Sequence, residues 1–280
     1  MFRLCAFADE ASPMLDGQIE ALHRNQIDLL EIRGVNKTNI SKLTLAEAKE
    51  VRRTLDSEGI SVWSMGSPIG KYPLADDLLP HLEEFKHLLE LTDILGARRI
   101  RMFSFFPAEG DDAEATREKV LERLRAFCEL TPANVTLCHE NEKHIFGETA
   151  ETCLAIHREL PAIRAVFDPA NFVQCGVDTL HAWELLHNYV SYMHIKDARG
   201  RKVVPPGQGE GQLPALLRRY RQNSGCVLTL EPHLTKFVGL DALENGSTEH
   251  VGLPCYKTND EAFDAAVTAL RGIIGSLESN

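Results

Sequence analysis

Short apolar runs alternate with longer amphipathic segments from one end of this chain to the other. The runs at 2–8, 27–32, 60–65, 98–104, 134–139, 163–167, 190–195 and 226–231 have the length and residue content of buried strands. Between and after them, 14–25, 44–58, 76–95, 112–130, 149–160, 178–188, 212–222 and 259–277 carry helical periodicity. Punctuation agrees with this division: Gly59 and Gly96 stand where helices should end, Gly225 precedes the last strand, and Thr44 with Glu47 has the spacing of a capping box. Eight successive βα units predict a single (β/α)8 TIM barrel rather than an open doubly wound sheet, which usually stops at about five or six strands. A chain of 280 residues accommodates one such barrel, and no linker or shift in composition divides it, so residues 1–280 are expected to form one domain. The stretch 232–258 is long for a βα connection and is expected to lie over the C-terminal face, as a lid or a dimer contact.

Composition narrows the class without deciding it. With 44% hydrophobic and 25% charged residues the chain is an ordinary globular protein, and its net charge of −11 argues against a nucleic-acid surface. Seven scattered cysteines without a CxxC pair read as reduced thiols of a cytoplasmic protein. The opening MFRLCAFADE does not read as a signal peptide, and no apolar run is long enough for a membrane-spanning helix to be expected. Neither GxGxxG nor GxxxxGK[ST] occurs in the required place, so dinucleotide and nucleoside-triphosphate binding have no support.

Four motifs close the last four strand-forming segments: HENE at 139–142, FDPAN at 167–171, MHIKD at 193–197 and TLEPH at 229–233. They offer Glu140, Asp168, His194 and Glu231, a mixed oxygen and nitrogen set that suits one divalent ion of manganese, magnesium, cobalt or zinc. In a barrel all four lie at the end where active sites are built. Each alone has a bland reading: a helix cap for a carboxylate, an Asx turn for Asp168 before Pro169, a core position for His194. Four such groups buried together without a cation would be costly to desolvate, which favours the metal reading. Glu142 rivals Glu140 as the ligand from strand 5, and Glu140 is preferred because it closes the strand.

This quartet resembles that of the xylose-isomerase-like barrel superfamily, and in particular its sugar isomerase/epimerase branch, which includes ketose 3-epimerases, hydroxypyruvate isomerase and inosose dehydratase. HIKDA at 194–198 and the PPGQGE loop at 205–210 strengthen the match, which spans essentially the whole chain. The resemblance implies a metal-dependent sugar or polyol isomerase or epimerase acting by enolisation through a cis-enediolate. It also implies that Glu140 and Glu231 serve as ligands and as the acid/base pair. The expected partner is a small sugar, keto-sugar or polyol, phosphorylated or not, and the family implies a homodimer. Ketose 3-epimerases often carry a histidine where this chain has Asn171, which binds a hydroxyl but cannot exchange a proton near neutrality. An inosose-type dehydratase on the same metal site is therefore the alternative. An endonuclease IV-like phosphodiesterase would need several more histidines and a basic face, and a non-catalytic sugar-binding barrel would lack the acid/base arrangement.

Substrate contacts are expected from Glu31 and Arg33 after strand 2, Lys71 in the loop after strand 3, Arg101 on strand 4, Asn171, Lys196, Arg199 and His233. Four of them have a competing reading. Arg33 can pair with a neighbouring carboxylate, Lys71 can be a solvated loop lysine, a pore-facing Arg101 needs a carboxylate partner, and His233 can stand behind Glu231. His139 should point away from Glu140 by strand alternation.

Overall fold

The eight apolar runs pair side by side in chain order and close on themselves. They are β1 (Arg3–Ala6), β2 (Leu29–Ile32), β3 (Ser61–Gly66), β4 (Arg99–Met102), β5 (Thr136–Glu140), β6 (Arg164–Phe167), β7 (Val190–Ile195) and β8 (Val227–Leu230), with β1 pairing parallel to both β2 and β8. The structure, a computed structural model, describes residues 2–108, 110–240 and 256–278. The predicted stretch 232–258 thus lies partly outside the described residues.

A helix follows each strand and covers the barrel. The helix Leu45–Ser57 starts with the predicted capping box of Thr44 and Glu47, and Leu79–Leu95 ends on left-handed Gly96. The helices facing the barrel bury aliphatic and aromatic residues such as Leu22, Phe85, Phe127, Leu216 and Phe263 against the outward side chains of the strands. Among the described residues no helix is long and apolar enough to cross a membrane. Six short elements among the described residues lie outside the predicted set: the 3-10 turns Ala8–Glu10, Ile40–Lys42 and Phe146–Glu148, the hairpin Gly34–Val35 with Thr38–Asn39, the helix Pro169–Gln174, and the hairpin Asp197–Arg199 with Lys202–Val204.

Strand alternation sorts the barrel interior into layers. A small apolar layer holds Cys5, Leu29, Cys138, Val166, Tyr192 and Val227, packed with Trp63. Two residues further along their strands stand Phe7, Glu31, Glu140, Asp168, His194 and Thr229, and all are buried. The sequence period of two therefore lifts the carboxylates and the imidazole into one polar layer at the C-terminal end of the barrel.

His139 has the opposite orientation and faces the surrounding helices, where its Nε2 meets Ser104 Oγ at 3.0 Å and its ring lies 5.9 Å from that of His157. Burial pulls the imidazole of His157 down from 6.5 to about 4 and that of His139 well below the usual range, so both are neutral in the folded chain. Between pH 6.5 and 4 the unfolded chain binds a proton at each position that the folded chain does not, so stability is present above this window and is lost as pH falls through it. His157 alone should account for about 3 kcal/mol of that loss. Urea midpoints at pH 7.5 and 4.5 should converge partly in H157Q, and identical pH dependence in wild type and variant would exclude this account.

Candidate metal centre

Glu140, Asp168, His194 and Glu231 come from the ends of β5 to β8, and one ligand atom of each lies within 4.8 Å of the others. His194 is oriented by both ring nitrogens. Its Nδ1 faces Glu140 Oε1 at 2.9 Å and Glu231 Oε2 at 3.5 Å, while its Nε2 faces Glu31 Oε2 at 3.2 Å on the other side. Asp168 Oδ1 caps the helix Pro169–Gln174 by accepting from the Asn171 backbone, which aims Oδ2 at the cluster. That oxygen is buried and accepts no hydrogen bond, although the Lys196 ammonium is 3.1 Å away. Three carboxylates, an imidazole lone-pair position and an unfilled buried acceptor fit a hard or borderline divalent ion. Between the two candidate glutamates of β5, the cluster contains Glu140, whereas Glu142 pairs with Lys71 at 3.1 Å and Lys143 at 3.0 Å.

Buried cations surround this acidic layer and set its electrostatics. Burial pushes Asp168 up to about 6, Lys196 opposes that rise, and Glu231 and Glu140 reinforce it. Glu231 is buried as well, yet Lys196 and His233 hold it well below the usual carboxylate range. Burial disfavours the charge on His194, but Glu140 and Glu31 raise it well above its ordinary value. Lys196 donates to Glu231 Oε2 at 3.1 Å, and Arg101 Nε lies 3.3 Å from Glu140 Oε2 with its guanidinium 4.6 Å from the Phe103 ring centre.

Arg33 ties the first two strands to the last. Its Nε and Nη2 donate to both oxygens of Asp9 at 2.9 Å, Nη2 also reaches Glu10 Oε1 at 3.1 Å, and Nη1 donates to Glu231 Oε1 at 3.0 Å. His233 adopts a left-handed backbone conformation, its N–H donates to Glu10 Oε2 at 2.7 Å, and its ring lies 3.5 Å from Glu231 Oε1. Asp9 and Glu10 carry a signal of the same kind as the quartet, acids just beyond a buried strand. The turn Ala8–Glu10 that folds them back is what brings them here.

The other predicted contacts divide by place. Asn171 lies beside the quartet, donating to the Asn141 carbonyl at 2.9 Å and approaching Glu140 Oε1 at 3.4 Å, with its own amide oxygen buried and accepting nothing. Lys71 sits at the rim against Glu142, 4.4 Å above the Phe103 ring centre. Glu31 is enclosed instead of exposed to a ligand, with Oε1 accepting from Tyr192 and Oε2 facing His194. Arg199 is exposed on its hairpin, donates to the Gln208 carbonyl and is not brought to the cluster.

The PPGQGE loop is fastened by Asp197, whose carboxylate accepts from the backbones of Ala198, Gly207, Gly209 and Gly211, each at 2.9 Å. A Cβ at Gly209 would stand 2.2 Å from Asp197 Oδ1, so only glycine allows this approach. Next to the cluster, a cavity of about 330 Å³ opens among Asp9, Arg33, Lys37, Asn39, Lys71 and Val238. Arg33 forms part of its wall while touching Glu231, which links the cavity to the quartet.

A model of the family described as xylose isomerase-like TIM barrel matches residues 19–248. No curated protein sequence matches this chain. Among solved structures, an IolI protein with a bound zinc atom superposes with a TM-score of 0.76 at 16% identity, covering 98% of this chain and 99% of that one. D-psicose 3-epimerase with D-tagatose from Clostridium cellulolyticum H10 gives 0.70 at 15% identity, with coverage of 98% and 99%. A probable 3-DHS dehydratase, AsbF, of Bacillus anthracis gives 0.73 at 14% identity, with coverage of 97% and 99%. At these identities the likeness is one of fold.

Proposed function

The chain belongs to the xylose isomerase-like TIM barrel family, and from that premise we propose that it is a divalent-metal-dependent isomerase or epimerase of small carbonyl sugars or polyols. The observation that carries this reading is the convergence of Glu140, Asp168, His194 and Glu231 at the ends of four consecutive strands. These residues would hold one divalent ion, whose chemistry when bound is Lewis-acid polarisation of a carbonyl. A carboxylate of the cluster would then be placed to remove the proton of the C–H next to that carbonyl. Glu231 and Glu140 approach from β8 and β5, so the two carboxylates are suited to remove a proton from one side of that carbon and return one to the other. Lys196 holds Glu231 ionised, Arg33 fixes its position, and Arg101 fixes the position of Glu140. Asn171 offers its unpartnered oxygen to a substrate hydroxyl. Relatives named as epimerases and as a zinc-bound IolI protein support the reading.

The second reading is a dehydratase, which enolises the same carbon once and then expels a hydroxyl. Asn171 favours it, because a side chain that cannot exchange protons leaves fewer groups for returning one. A relative named as a probable dehydratase has the same fold.

The test is turnover in deuterium oxide across ketoses, keto-acids, inososes and their phosphates, comparing the manganese- or zinc-loaded protein with chelator-stripped protein. Metal-dependent exchange at one carbon beside a carbonyl is expected, and the product separates epimer, isomer and dehydrated compound. Stoichiometric metal without exchange from any member of the panel would sink the proton-transfer reading.

A further inference from the structure

Resting on the metal reading above, we infer that Glu31 is a positioning residue that fixes the ring of His194 and thereby sets metal affinity. The glutamate is fully enclosed, and neither oxygen is left for a substrate. Oε1 accepts from Tyr192 Oη at 2.7 Å, and Oε2 lies 3.2 Å from His194 Nε2. Tyr192 is itself held, its hydroxyl lying 3.1 Å from Ser64 Oγ. Ser64, Tyr192, Glu31 and His194 therefore form one buried chain of hydrogen bonds drawn from β3, β7 and β2.

The direction of that chain decides the chemistry of the imidazole. A carboxylate is an acceptor, so it requires the proton on Nε2. When a metal takes the place of the proton that Glu140 accepts from Nδ1 at 2.9 Å, the lone pair would be on Nδ1, the nitrogen facing Glu140 and Glu231, while Nε2 keeps its proton. Phe7 packs edge-on against the same ring at 5.2 Å and restricts its rotation. A ligating histidine whose second nitrogen donates to a carboxylate is held in the right tautomer and made a stronger donor, and loss of such a partner typically weakens metal binding about 10–100-fold. Strand geometry makes Glu31 suited to this work: it lies within β2 and not beyond it, so its side chain points across the barrel instead of over the rim.

The measurement is zinc affinity by competition with a chromophoric chelator, on wild type, E31A and E31Q, together with the exchangeable Nε2 proton of His194 in the zinc-loaded, 15N-histidine-labelled protein. E31A should bind zinc about 10–100-fold more weakly and lose the protected Nε2 proton. E31Q, whose amide oxygen still accepts that proton, should recover part of both, and it serves alone if E31A fails to fold. Wild-type affinity in both variants, with the Nε2 proton still protected, would overturn the assignment of Glu31 and leave the metal site standing. A wild-type protein that binds no zinc, manganese or cobalt would overturn the metal reading and this inference with it.

Discussion

Glutamine in place of Glu231 should lower product formation by about 10²–10⁴-fold at saturating metal, the usual range for loss of a general acid or base. Saturation matters because Glu231 stands in the ligand cluster as well. Glutamine retains an oxygen that can reach a metal but cannot take a proton from carbon. A purely ligating role predicts that added manganese or zinc restores turnover, whereas an acid/base role predicts that it does not. D168N is the control, since Asp168 is given no proton to move: its activity should return as metal is added. Recovery of E231Q to within about tenfold of wild type under the same conditions would remove Glu231 from the acid/base pair.

Glu140 supplies the other half of the same experiment. If the two carboxylates serve opposite sides of one carbon, E140Q and E231Q should both stop interconversion, yet each should still exchange deuterium from the epimer that its remaining glutamate can deprotonate. The double variant should exchange neither. A dehydratase breaks this symmetry, because only one of the two glutamates would then be needed for exchange at all. Arg101 and Lys196, 3.3 and 3.1 Å from the two carboxylates, are expected to lower turnover less than either glutamate, since they position charge without moving the proton.

The barrel is legible because its strands are short, strongly apolar and separated by helical segments that also carry cap signals, so period and punctuation agree along the chain. Glu140, Asp168 and His194 are legible for the same reason: each stands two residues beyond an interior residue, Cys138, Val166 or Tyr192, and inherits its direction. What alternation does not convey is who meets whom across the barrel. Glu31 and Arg33 are two residues apart, and a contact with substrate is expected of both. Only the closed sheet shows that Glu31 ends on His194, whereas Arg33, beyond the strand, turns to Asp9, Glu10 and Glu231. Asp9 and Glu10 escape notice in sequence because adjacent acids after a strand are common on solvated loops, and the 3-10 turn that buries them has no periodic signal. Arg199 shows the converse. Its place after His194 suggests the site, but the hairpin Asp197–Arg199 with Lys202–Val204 turns it outward.

Arg33 carries the largest expected effect on stability. Burial alone would lower the affinity of its guanidinium for a proton, but Asp9, Glu10 and Glu231 outweigh that and keep it charged. The guanidinium and the three acids are thus enclosed together, with only 4% of the Arg33 side chain exposed. Methionine at this position fills similar space along the apolar stem but leaves three buried acids without their shared donor. Breaking a buried pair by deleting one partner costs about 3–5 kcal/mol, because the remaining charge stays desolvated. R33M should therefore move the urea midpoint of the metal-free protein down by an amount corresponding to that loss. R33K should recover only part of it, since an ammonium cannot span Asp9, Glu10 and Glu231 with the planar fork that Arg33 uses. Removing acids together with the cation separates charge from packing: R33M combined with D9N should be more stable than R33M alone. An R33M midpoint equal to wild type would show that the acids are relieved in another way, by protonation or by hydration through the adjoining cavity, and would reduce Arg33 to a wall of that cavity.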